Sequence, residues 1–149
     1  MQQLHKFLSL TACDRVLLCR AVFLLGAVRL GLGVLPFQRF RHLLAGVKGT
    51  RWLYPRPDCR ITLDQIVWAV EVASYYMPGQ VKCLARALTT QILMSWYGYT
   101  SELRIGVAKG EAGQFEAHAW VEIQGRVVMG HLRDLSRYTP MPSFEGGGL

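Results

Sequence analysis

Apolar residues run almost without a break from Val16 to Phe37, and the polar positions around them predict a helix over residues 11–32. Thr11 or Asp14 can cap its start, and Pro36 ends it. Phe37 to Ala45 makes a second short helical piece stopped by Gly46. Residues 47–60, with Gly49, Pro55 and Pro57, read as a loop crossing between layers. Thr62 followed by Gln65 has the spacing of a capping box. The helix it opens carries Ile66, Val67, Ala69, Val70 and Ala73, runs to Tyr76 and stops at Met77-Pro78-Gly79. Another begins at Lys82-Cys83, keeps Leu84, Ala87, Leu88, Ile92 and Leu93 at helical spacing, and takes Gly98 as its C-cap.

The period then changes from that of a helix to that of a strand. Residues 102–107 alternate, 109–116 form a Gly-containing loop, and 117–123 make a second strand. Gln124-Gly125 is a tight turn into a third strand over 126–129. The tail, 136–149, holds two prolines and three glycines and reads as irregular. Helices first and a small antiparallel sheet second describe one α+β domain over residues 1–149, a length that buries a single sizeable core.

Composition supports a folded chain, with 51% apolar and 18% charged residues. The formal charge of +7 favours an acidic peptide, nucleic acid or an anionic membrane surface. No run of five basic residues occurs and no nucleic-acid motif is present, so nucleic acid is the weakest of the three. Arg20 and Arg29 interrupt the apolar N-terminal stretch, which falls short of the roughly 18 uncharged residues of a spanning helix. Arg15, Arg20 and Arg29 are expected on solvated stripes of a helix packed on the domain, with membrane contact not favoured. The opening residues lack the features of a secretory signal, so a cytoplasmic, reducing setting with free thiols is the expectation. Cys13, Cys19, Cys59 and Cys83 form no C-x-x-C pair, and neither a metal nor a cofactor is expected.

Cys83 stands apart from the other cysteines because it opens a helix just after a Pro-Gly break. A thiol there faces the positive end of the helix dipole and unpaired backbone N–H groups, which favour thiolate. The same N–H groups can hold the oxyanion of a tetrahedral intermediate. Cys13 and Cys19, within an apolar helix, fit a buried and inert role, and Cys59 has no visible partner. His118 shares a strand face with Trp120 and Glu122, opposite the aliphatic Ala119, Val121 and Ile123, and can line a cleft. Paired with Cys83 it supplies the general base, and later the acid for a leaving amine.

A third group should fix the imidazole tautomer and stabilise its charged form. If Ile123 pairs with Arg126 across the turn, His118 falls opposite His131, and Asp134 lies three residues beyond. Asp134 is favoured for this role, Glu122 comes second, and His131 brings no negative charge. Arg86, one turn past Cys83, reads as a structural ion pair or a partner for a substrate carboxylate. Trp120 can shield the imidazole or pack in the core, and Gln80 is a loop residue that could donate to the oxyanion. Tyr75, Tyr76, Trp96 and Tyr97 read as cover for helix faces, or as the aromatics of a peptide groove.

These blocks together resemble a known family. C-L-A-R-A-L at Cys83–Leu88, L-R-I-G-V at Leu103–Val107 and A-H-A-W-V-E-I-Q-G at Ala117–Gly125 are similar to the transglutaminase-like leader peptidases of lasso-peptide biosynthesis. The likeness extends to D-R-V-L-L at Asp14–Leu18, W-A-V-E-V-A at Trp68–Ala73 and D-L-S-R-Y-T-P at Asp134–Pro140. The resemblance implies a papain-like cysteine-protease core, a Cys83–His118–Asp134 triad and a ribosomally made precursor peptide as substrate. It also implies partners: a leader-recognition protein and an ATP-dependent cyclase, with this chain as the stand-alone peptidase. Some members carry the acid a dozen residues after the histidine, where this sequence has Gly130. The competing readings are a cysteine amidase or acyltransferase using the same pair, and a non-catalytic scaffold module docking through its apolar helices.

Overall fold

The computed structural model describes residues 8–36, 39, 42–43, 60–79, 82–130 and 135–140. Three helices come first: α1 (Ala12–Val34), α2 (Leu63–Tyr76) and α3 (Cys83–Trp96). A four-stranded antiparallel sheet follows, made of β1 (Glu102–Lys109), β2 (Phe115–Ile123), β3 (Arg126–Met129) and β4 (Thr139–Pro140). The strand order is β3-β2-β1-β4. The expected α+β domain is therefore present, with helices leading and sheet trailing.

Each helix starts and stops for a local reason. Thr11 caps α1, its hydroxyl oxygen accepting from the Asp14 amide at 3.2 Å. At α2 the capping box closes both ways: Gln65 N donates to Thr62 Oγ1 at 3.3 Å, and Thr62 N to Gln65 Oε1 at 2.8 Å. The Gln65 amide also donates to Asp14 Oδ1 at 2.9 Å, tying the starts of α1 and α2 together. α3 ends in a Schellman motif. Gly98, with φ +86°, reverses the chain, while its N–H reaches Ser95 O and that of Tyr99 reaches Met94 O.

Leu17, Leu18, Ala21, Leu24, Leu25 and Val28 of α1 are buried against α2 and α3. Ala119 and Val121 of β2, with Leu103 and Met129, close the core from the sheet side. Thr89 and Thr90 are buried within α3, and each hydroxyl donates to the carbonyl one turn back, on Ala85 and Arg86.

Several expectations need correction. The three arginines of α1 are half-exposed, and each reaches an acceptor rather than extending freely into solvent. Arg15 donates to Leu10 O, Arg20 to Tyr97 Oη and Arg29 to Pro78 O, which leaves the outer face of the helix apolar. α1 is also long and apolar enough to cross a membrane by length and composition, although its inner face is core. Cys13 is disulfide-bonded, so the free thiols among the described residues are Cys19 and Cys83.

The first hairpin is longer than expected. Pairing continues to Lys109 opposite Phe115, because Gly110 N donates to Gln114 O at 2.7 Å and Gly113 takes φ +84° to close the turn. Within the tail, Thr139 and Pro140 pair with Val107 and Gly106, adding an edge strand to a segment that reads as irregular. Of the short helical piece expected at 37–45, residues 39, 42 and 43 are described and are helical; its other residues, most of the loop at 47–60 and the last nine residues lie outside the described residues.

Candidate active site

Cys83 is the first residue of α3, half-buried and with a free thiol. Lys82 precedes it in extended conformation, and its side chain makes no capping hydrogen bond, unlike the threonines before α1 and α2. The first backbone bond of the helix runs from Arg86 N to Lys82 O. The N–H groups of Cys83, Leu84 and Ala85 therefore precede the helical ladder, where they can meet an anion.

His118 is the fourth residue of β2 rather than the head of the strand, since pairing begins at Phe115. It is half-buried, and three groups hold its ring. The Trp120 indole stacks on one side, with centroids 6.1 Å apart and planes 18° from parallel. Tyr138 lies on another, 5.7 Å away and tilted by 49°. Nε2 is 2.7 Å from the carbonyl oxygen of Gly130. A carbonyl oxygen can only accept, so Nε2 carries a proton, and in the neutral ring Nδ1 then keeps its lone pair. That is the tautomer a general base at Nδ1 requires.

The two holders are themselves fixed. Trp120 Nε1 donates to Glu122 Oε1 at 2.7 Å, and the indole lies over Gly106, where a Cβ would come within 2.8 Å of two ring carbons. Tyr138 Oη reaches Glu116 Oε2 at 3.5 Å, and Arg137 Nη2 is 2.8 Å from the same oxygen. β4 pins the next two residues to β1, so the tyrosine stays beside the histidine.

This arrangement bears on the second choice for the third member. Glu122, the second choice, is turned to Trp120 and lies 3.5 Å from Arg104 Nε, so it does not orient the imidazole. The unbroken register on which the opposition of His118 and His131 rested is not kept. Ile123 does pair with Arg126, but a bulge between Val121 and Glu122 shifts the register by one. β3 then ends at Met129, and Gly130, with φ +86°, turns its carbonyl to the histidine. His131, Asp134 and Gln80 lie outside the described residues.

Among the described residues no hydrogen bond joins Cys83 to His118 directly. Their elements are nonetheless packed together, with α3 lying on β2 and β3. Arg86 Nη2, one turn from Cys83, lies 3.8 Å from Met129 Sδ, and the next residue is Gly130. Arg86 Nε is buried without a hydrogen-bond partner, so the expected ion pair is not seen among the described residues. Of the aromatic cover, Trp96 is buried, whereas Tyr75 and Tyr76 form an exposed edge-to-face pair 5.1 Å apart. A cavity of about 750 Å³ lies between the start of α2 and the β2–β3 turn, lined by Leu63, Val67, Tyr99, Ile123 and Val128. Neither Cys83 nor His118 lines it.

Two holders of the imidazole escape sequence reasoning. Gly130 acts through its backbone, and its only trace is that a glycine stands where some relatives of the resembled family have an acid. Tyr138 lies in a block that supported the resemblance but suggested no role.

No curated protein matches the chain, and no solved structure does. The sequence model of the Transglutaminase-like superfamily matches residues 22–143, from the second half of α1 to just past β4. That superfamily includes cysteine peptidases and acyltransferases, and the match spans both Cys83 and His118. The chain belongs to the transglutaminase-like superfamily.

Proposed function

We propose that this protein is a cysteine peptidase that removes the leader from a ribosomally made lasso-peptide precursor. The observation that carries the catalytic part is the Gly130 carbonyl on Nε2 of His118, which leaves Nδ1 as the basic nitrogen of the neutral ring, on a strand against which packs the helix that opens on a free cysteine. The substrate class rests on the resemblance of the sequence blocks around Cys83, His118 and Asp134.

In this mechanism Nδ1 of His118 takes the thiol proton and the Cys83 sulfur attacks the carbonyl at the leader–core junction. N–H groups at the start of α3 receive the oxyanion. The bond to the core amine breaks as the imidazolium protonates that amine. His118 then deprotonates a water, which attacks the thioester and releases the leader as a carboxylate. Asp134 keeps the role the resemblance implies, stabilising the imidazolium. A leader-recognition protein and an ATP-dependent cyclase act before and after the cut.

The test is mass spectrometry of a synthetic precursor incubated with the protein, with and without the recognition protein. Cleavage adds one water across the junction and yields two fragments. Transfer to an amine, the superfamily's other chemistry, adds the amine and no water. Cys83→Ala should abolish cleavage and leave the far-UV circular dichroism spectrum unchanged. Substantial cleavage by that variant would overturn the assignment.

A further inference from the structure

Half of α1 is unaccounted for by the domain. Ala12, Val16, Cys19, Phe23, Ala27, Leu30 and Val34 follow one another by three or four positions, which places them on one helix face. All are exposed, Phe23 at 79%, Leu30 at 69% and Val34 at 73%. The opposite face is core, so the helix is apolar on both sides while, among the described residues, only one is covered by protein. The stripe runs about 33 Å, from the rise of 1.5 Å per residue. A continuous apolar surface of that length on a basic protein calls for an apolar occupant.

Charge indicates which one. Residues 1–60 hold ten of the Lys and Arg and two of the Asp and Glu, a net of +8. Residues 61–149 hold seven and eight, a net of −1. The whole positive excess therefore belongs to the segment that contains α1. Within the helix the half-exposed arginines bond to Leu10, Tyr97 and Pro78, and none falls among the stripe positions. Beyond its end Arg39 is exposed. An uncharged stripe within a basic segment is the pattern that inserts between acyl chains while cations meet anionic headgroups. Nucleic acid would use the charge but leave the stripe wet.

We propose that the outer face of α1 docks the protein on an anionic lipid bilayer, lying in the interface with Phe23 and Leu30 as its main insertions. The inner face stays packed on α2 and α3, so the helix does not cross. This surface is independent of the Cys83 chemistry.

The experiment is flotation of the full chain with vesicles of phosphatidylcholine alone or mixed with phosphatidylglycerol. The protein should float with the mixed vesicles, less so as ionic strength rises, and not with phosphatidylcholine alone. Phe23→Glu with Leu30→Glu should weaken binding by roughly tenfold or more, because two large apolar insertions are lost and two repelling charges gained. The far-UV circular dichroism spectrum should stay that of the parent, since both positions are exposed. An environment-sensitive dye on Cys19, in a Cys83→Ala background, should shift to the blue on the mixed vesicles. Failure to float, binding unaffected by the double substitution, or an unshifted dye would each overturn the proposal. So would a vesicle-free dimer that the same substitutions dissolve, because a second copy would then cover the face.

Discussion

A methyl group at position 130 would lie 2.8 Å from the Ala119 carbonyl oxygen and 3.0 Å from Trp120 Cβ, on a backbone with φ +86°. Both the contact and the left-handed conformation disfavour any side chain there. Gly130→Ala should cost about 1–3 kcal/mol of stability. It should lower activity beyond what that loss explains, because the carbonyl on His118 has to move. Thermal melts and cleavage rates well below the melting temperature separate the two effects, and nitrogen chemical shifts of the His118 ring report the tautomer. A variant with parental melting and parental rate would remove Gly130 from the site. Cys83 and His118 were legible because their signals are local, a helix start and a strand face. Gly130 was not, since its function resides in a peptide group common to all residues.

Elements were legible where a short stretch of chain decides them. Thr62 and Gln65 announced α2 because a capping box is complete within four residues. Thr62→Ala should cost about 1 kcal/mol by the usual worth of such a cap. Denaturant titration measures this, and Gln65→Ala should cost at least as much because it also releases Asp14 from the start of α1. An unchanged midpoint for both would mean that the box contributes nothing. β4 was not legible, because two residues hold no period and their pairing with Gly106 and Val107 is distant in sequence. The bulge at Val121/Glu122 was equally silent, and it shifts by one the register on which the opposition of His118 and His131 rested. The bonds of Arg20 to Tyr97 and of Arg29 to Pro78 depend on acceptors that the tertiary fold brings close, so helical spacing alone could not show them.

For the whole molecule, the order of helices before sheet was readable from the change of period, but the dependence of one on the other was not. Leu17, Leu25 and Val28 of α1 are buried in the same core as Ile92, Leu93 and Val121. A chain beginning at residue 60 would uncover that core, so it should lack cooperative thermal unfolding and bind a hydrophobic dye. A cooperative melt from such a fragment would contradict the single core. The Gly130 carbonyl has a consequence for how such a protein is surveyed. Saturation libraries and alanine scans report on groups that a codon can delete, and no codon deletes a carbonyl. On the proposed mechanism, a scan of this site would score Cys83 and His118 as essential and would mistake position 130 for a mere folding defect. Replacing the amide that follows Gly130 by an ester, whose oxygen accepts more weakly, would instead grade the contact without adding an atom to the pocket.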